Sequence, residues 1–167
     1  MSTLKSLIAN VPGFPKPGIL FRDISPLLRD HFEATLNALD ALLTAPEWQS
    51  IDAVAGIESR GFILGAALAA RRGKGFVLVR KQGKLPPPVV DVPYALEYGT
   101  GILEMQPGRG RLLLVDDVLA TGGTLTAAAE LCARAGYDVQ ALLVLIDLRL
   151  VAGYAWRGLP ARAAIVY

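Results

Sequence analysis

Residues 112–125 read LLLVDDVLATGGTL: four apolar residues run straight into two adjacent carboxylates, Asp116 and Asp117, and then into a turn of small and hydroxyl residues. A helix-like run, TLTAAAELCARAG, follows over Thr124–Gly136. An apolar strand, a short turn and an Ala/Leu helix closed by glycine form the repeating unit of a parallel sheet covered on both faces.

The rest of the chain repeats that unit. Ile51–Ile57 (IDAVAGI) is a strand candidate, and Gly61–Arg72 (GFILGAALAARR) is a helix stopped by Gly73. Gly75–Val79, Val139–Ile146 and Ala163–Val166 supply further strands, and Asp30–Leu43 spaces Phe32, Leu36, Leu39, Leu42 and Leu43 as one helix face. The expected fold class is α/β, with a central, mostly parallel sheet flanked by helices. A chain of 167 residues with 53% hydrophobic content supports one domain over 1–167. Lys and Arg exceed Asp and Glu only as 17 to 15, which gives no global field for nucleic acid or an anionic membrane. Cys132 stands alone, so neither an internal disulfide nor a cysteine zinc site can form. The N-terminal residues lack the apolar core of a signal peptide, and no apolar run approaches membrane-spanning length. A cytoplasmic protein is the expectation.

In parallel sheets ligands sit beyond the carboxyl ends of the strands. Four such ends carry unusual chemistry: Gly56–Gly61 (GIESRG), Arg80–Lys84 (RKQGK), the opening stretch, and Ile146–Arg149 (IDLR). The glycines of Ala120–Thr124 (ATGGT) let main-chain N–H groups approach a ligand; with two hydroxyls and a helix N-terminus they form a phosphate nest. Asp116 and Asp117 would repel a phosphate. They suit the vicinal hydroxyls of a ribose and tolerate a nearby magnesium ion. A capping Asp before a glycine turn explains one carboxylate and leaves the other without a role. Neither GxxxxGK[ST] nor GxGxxG occurs.

VDDVLATGGT resembles the phosphoribosyl pyrophosphate (PRPP) signature of type I phosphoribosyltransferases. FPKPGILFRDISPLL, GIESRGFILGAALA, VRKQGKLP and YALEYG resemble, in order and spacing, the adenine-using branch of that family from about Phe14 to about Arg149. The resemblance implies the type I fold, with a small hood and base-binding segment over about residues 1–30 and a flexible catalytic loop over about 81–98. It implies transfer of the 5-phosphoribosyl group of PRPP to N9 of adenine, with AMP and pyrophosphate as products of purine salvage. Ribose and phosphate would be held by Asp116, Asp117, Ala120, Thr121, Gly122, Gly123 and Thr124. Pyrophosphate would fall to Ser59, Arg60, Arg80, Lys81 and Lys84, some reaching across a homodimer, and a cis peptide is implied at Glu58–Ser59. Phe21 would stack on adenine, the backbones of Leu20 and Arg22 would read its edge, and Leu148 would close its other face. Glu97 would manage the proton on N7, with Tyr98 shielding the site and Gly99 and Gly101 as hinges. Magnesium is expected to enter bound to PRPP, near Asp116 and Asp117, with no protein ligand of its own.

Two other readings compete: a regulator that keeps the PRPP cradle without catalysis, and transfer to a different base. Intact loop cations and Glu97 favour catalysis, and FRDISP favours adenine. His31 reads as a helix-terminal residue, Trp48 and Trp156 as packing residues, and Cys132 as a small core residue.

Overall fold

The computed structural model describes residues 3–96 and 99–167. A short 3-10 turn, Leu4–Leu7, leads into a two-stranded antiparallel hairpin of β1 (Ala9–Pro12) and β2 (Leu20–Asp23). Three helices follow: α1 (Ser25–Asp30), α2 (Phe32–Asp40) and α3 (Ala45–Ser50). The remaining chain contributes β3 (Ala53–Ile57), α4 (Arg60–Arg72), β4 (Gly75–Lys81), β5 (Val90–Leu96), β6 (Gly99–Met105), β7 (Gly110–Leu119), α5 (Gly123–Arg134), β8 (Tyr137–Asp147), β9 (Ala155–Trp156) and β10 (Leu159–Val166). These strands form one sheet in the order β5-β6-β4-β3-β7-β8-β10-β9. Its middle, from β4 to β10, is parallel; β5 and β6 at one edge and β9 at the other are antiparallel.

The apolar runs are continuous because both faces of these strands are covered. Leu113 and Val115 of β7 and Leu143 and Leu145 of β8 face a core with Leu36, Leu39, Trp48, Leu64 and Leu68 from α2, α3 and α4. Their neighbours Leu112, Leu114, Leu142 and Val144 face the other core, built on Leu125, Ala128, Leu131 and Cys132 of α5 with Leu103 and Met105 of β6. Fully burying a Leu is worth roughly 1.5–3 kcal/mol, so the alternation along β7 and β8 stabilises both layers at once. Arg71 and Arg72 at the end of α4 pair with Glu33 and Asp40 of α2, tying the helices of one layer together.

Several expected elements shift. The single helix expected over Asp30–Leu43 is broken at His31, which ends α1 and begins α2. The α3 helix, not expected from the sequence, starts on a capping box of Thr44 and Glu47, in which the Thr44 N–H donates to Glu47 Oε2 at 2.7 Å. β7 runs four residues past Val115, so Asp116 and Asp117 lie inside the strand. The flexible stretch expected over 81–98 contains β5, whose Val90–Leu96 pairs in register with Gly99–Met105. Trp48 and Cys132 are buried, and Gly73 closes α4 at φ +62° as expected.

Gly56, at the point where α4 crosses β3, is a close-approach glycine. A Cβ there would lie 2.7 Å from the Gly61 carbonyl oxygen and 2.8 Å from the Phe76 ring. Gly56→Ala is expected to cost about 1–3 kcal/mol of stability through overpacking, read from the denaturant midpoint. An unchanged midpoint would show that the helix can lift off the sheet without loss.

Candidate active site

The carboxyl ends of β3 and β7, the start of α5 and one residue of the hairpin enclose a cavity of about 630 Å3. Its lining includes Phe21, Ser59, Arg60, Lys81, Asp116, Asp117 and Ala120–Thr124, all expected site residues. Glu58, Tyr94 and the backbone neighbours Val118, Leu119 and Leu125 complete it.

Asp116 and Asp117 are each only 7% exposed. Burial and the negative charge of Asp117 push the Asp116 pKa well above its ordinary value, against the pull of the Asp117 N–H and the Arg60 charge. That N–H donates to Asp116 Oδ1 at 2.9 Å. Arg60, the first residue of α4, brings its Nε to 2.7 Å from Asp117 Oδ2. The pair is close without hydrogen-bond alignment, since Oδ2 has no hydrogen-bond partner among the described residues. The same guanidinium lies 5.3 Å from the centre of the Phe21 ring, which meets Phe14 edge-on.

The turn after β7 works through one backbone conformation. Gly122 sits at φ +84° as the N-cap of α5, and a Cβ there would fall 2.5 Å from the Tyr154 ring. Any other residue would meet both a left-handed backbone and a filled space. The Tyr154 hydroxyl lies 2.8 Å from Thr126 Oγ1 one turn into α5, so this tyrosine braces the turn. Free N–H groups at a helix start, beside the Thr121 and Thr124 hydroxyls, can take a phosphate.

Two of the three cations of RKQGK, Arg80 and Lys84, are engaged. Glu58 Oε1 lies 2.5 Å from Lys84 Nζ, and Oε2 accepts the Lys81 N–H at 3.0 Å and lies 3.4 Å from Arg80 Nε. Burial would raise the Glu58 pKa, but Lys84, the Lys81 N–H and Arg80 outweigh it and hold it at about 2. The Tyr94 hydroxyl is pushed up by burial and by the charges of Asp116 and Glu58.

Not every expected residue reaches this cavity. Arg80 and Lys84 stand behind Glu58 and do not line it. Leu20 is exposed on β2, and the Arg22 side chain turns to Asn10 and the Tyr167 ring. Leu148 packs partly buried against a core, its N–H donating to the Leu119 carbonyl at 3.0 Å. Asp147 and Arg149 of the fourth strand end line a separate cavity of about 320 Å3 that shares Leu119. Glu97 and Tyr98 lie outside the described residues. The peptide Glu58–Ser59 is cis, as the resemblance implied. Sequence reasoning missed Tyr94, Tyr154 and the bridging role of Glu58, because each acts through contacts distant along the chain.

Residues 35–149 match the phosphoribosyl transferase domain family. The chain is 49% identical over 165 residues to an adenine phosphoribosyltransferase of Hydrogenovibrio crunogenus, covering 98% of this chain and 96% of that one. It is 58% identical over 145 residues to the adenine phosphoribosyltransferase of Bdellovibrio bacteriovorus, 87% of each chain. Its structure is similar to that of the Saccharomyces cerevisiae adenine phosphoribosyltransferase solved with an imino-altritol bisphosphate and adenine, with a TM-score of 0.89, 34% identity and 96% of both chains covered.

The raised Asp116 pKa sets a pH dependence. A carboxyl that holds its proton more tightly when folded adds stability that is fully present below its ordinary value near 3.8 and is lost as pH rises through the folded value. Asp116→Asn keeps an acceptor for the Asp117 N–H and buries no charge. Its denaturant midpoint should exceed that of the wild type at pH 8, and the gap should close toward pH 4. A wild type that is the more stable at pH 8 would contradict the assignment.

Proposed function

The chain belongs to the phosphoribosyltransferase family, and from that premise we propose how its site residues divide the work of the reaction. The reaction transfers the 5-phosphoribosyl group of PRPP to N9 of adenine, releasing AMP and pyrophosphate in purine salvage. The bond from C1′ to the pyrophosphate oxygen breaks, the bond from C1′ to N9 forms, and adenine gives up one proton. The readings as a silent regulator and as an enzyme for another base give way to this one.

One observation carries the division of labour: the buried pair Asp116–Asp117, the turn Ala120–Thr124 at the start of α5, and the Ser59–Arg60 loop share one cavity. The turn takes the 5-phosphate through its backbone N–H groups and the two threonines. The aspartates accept from the ribose hydroxyls and hold C1′ between leaving group and base. Fixing that geometry is worth more to the rate than tight binding alone, because the ribosyl group carries positive charge only in the transition state. Ser59 and Arg60 take the departing pyrophosphate, Arg60 leaving Asp117 as it does so. Lys81 joins them from the cavity wall, with Arg80 and Lys84 exchanging Glu58 for phosphate oxygens.

Phe21 stacks on adenine, the Leu20 carbonyl and Arg22 N–H read its edge, and Leu148 closes the other face after a local shift toward the cavity. Glu97 takes the proton from the purine imidazole side as N9 attacks, and Tyr98 keeps water out. Residues about 1–30 act as the hood, and about 81–98 as the segment that closes over bound substrate. Magnesium arrives with PRPP. The carboxylates of Asp116 and Asp117 line the same cavity as the Ser59–Arg60 loop, which supports a role beside the metal, and they are too few to fill a six-oxygen shell themselves. The proposal includes a homodimer, which would cover part of the apolar surface at Ile63, Leu78 and Val89, and a cytoplasmic location. No helix among the described residues is long and apolar enough to cross a membrane.

Purified protein with magnesium and PRPP should form nucleotide from adenine about 10⁴-fold faster than from hypoxanthine, whose 6-oxo group sets acceptor against acceptor. Comparable rates would remove the edge-reading role of Leu20 and Arg22. Glu97→Gln should lower kcat about 10²-fold or more with little change in the PRPP KM. An unaltered kcat would leave this glutamate a bystander.

A further inference from the structure

Among the described residues the buried polar side chains are Thr35, Glu104, Asp116 and Asp117. Thr35 is accounted for by its bond to the His31 carbonyl at 2.9 Å, and the aspartates line the cavity. Glu104 is unused by the reaction as described. It is 3% exposed on β6, opposite Arg80 of β4 in the strand register and outside the cavity lining.

Its partners show what it does. Glu104 Oε1 accepts the Lys84 N–H at 2.7 Å and the Leu85 N–H at 2.8 Å. The Gly83 N–H adds to the same stabilisation, and together these donors overcome the effect of burial to keep the carboxyl below its ordinary pKa. Successive N–H groups converging on one anion form a nest, a geometry that elsewhere receives a ligand phosphate. Here the anion is internal, and the nest is the RKQGK turn itself. The Gln82 N–H is tied to the Ile102 carbonyl at 3.0 Å, so β6 grips the turn at two alternate residues, Ile102 and Glu104.

We propose that Glu104 is a positioning residue for diphosphate recognition: its buried carboxylate holds the backbone of residues 83–85 so that Lys84, with Arg80 behind Glu58, stays poised beside the leaving-group end of the cavity that Lys81 lines. The proposal rests on reading those three cations as pyrophosphate ligands. Glu104 touches no substrate and acts through Lys84.

The test is a cycle of Glu104→Gln, Glu104→Ala, Lys84→Ala and the Glu104→Gln/Lys84→Ala double variant in the full chain. Steady-state KM is read for both substrates, and calorimetry reads pyrophosphate binding. Glu104→Gln keeps the shape and loses the charge. It should raise the PRPP KM and weaken pyrophosphate binding about tenfold, leaving the adenine KM within about twofold. In the Lys84→Ala background the same change should add no more than about twofold, because the group it positions is gone. If Glu104→Ala does not fold, the Gln variant decides alone. A Glu104→Gln enzyme whose PRPP KM stays within about twofold while Lys84→Ala raises it overturns the inference and leaves the cation reading standing. So does one that weakens adenine and PRPP equally. An unaltered PRPP KM in Lys84→Ala alone removes the cation reading and the inference with it.

Discussion

Two neighbouring carboxylates buried at the end of a central strand are the constraint the rest of the molecule answers to. Each aspartate taken alone into a buried setting would cost several kcal/mol, and side by side they also repel. The fold meets that cost from three directions. β7 supplies the Asp117 N–H to Asp116, α4 starts at the one residue whose guanidinium can reach Asp117, and Asp116 retains a proton more readily than an ordinary carboxyl. These interactions offset the cost of burial and keep two acceptors fixed where, on the proposed reading, ribose hydroxyls would meet them, a trade of stability for binding that functional sites commonly make.

The same economy governs the cations. Arg60 rests on Asp117, while Arg80 and Lys84 rest on Glu58, and the turn that carries Lys84 is wrapped around Glu104. Side chains that would otherwise sample many rotamers are thus held close to the cavity before any ligand arrives, which reduces the ordering cost of binding. The exchange also has a cost. A diphosphate must offer Arg80 and Lys84 more than Glu58 does, and it can, because its oxygens carry more charge and accept several donors at once.

Much of this was legible from local pattern. LLLVDDVLATGGTL displays strand, acidic pair, turn and helix start in one line, and GIESRG places a cation at the start of the following helix. The parallel sheet followed from apolar runs spaced by helices of about three turns, since only strands covered on both faces can be apolar throughout. What escaped was non-local. The stretch 90–96 reads as an irregular segment because of Pro93 and Asp91 and the three prolines before it, yet it is an edge strand, where proline is tolerated and pairing with 99–105 supplies the register. Tyr94 reaches the cavity only through that pairing. Glu58 reads as a minor variation in a loop until the fold brings residues 80–84 against it. Leu148 illustrates the converse: a sequence position can match a pattern while its side chain packs half-buried against the core and outside the cavity lining.

The charge of the cavity wall bears on what must enter with the sugar phosphate. Among the described residues the lining holds two cations, Arg60 and Lys81, against three carboxylates, Glu58, Asp116 and Asp117. With all of them ionised the wall is one charge negative, a poor welcome for a ligand that is itself strongly anionic. Arg80 and Lys84 stand behind Glu58 and outside the lining; counting them gives four cations against three carboxylates, yet leaves the aspartate end, Arg60 against Asp116 and Asp117, one charge negative. Two changes relieve that end. A proton kept on Asp116 makes the wall neutral, which is what its burial beside Asp117 favours. In the proposed complex a divalent ion carried in on the diphosphate would offset charge on the ligand and on both aspartates together. An acidic pair is therefore no obstacle to binding PRPP provided the substrate is its magnesium complex, and in that form the carboxylates that would repel the free anion attract it.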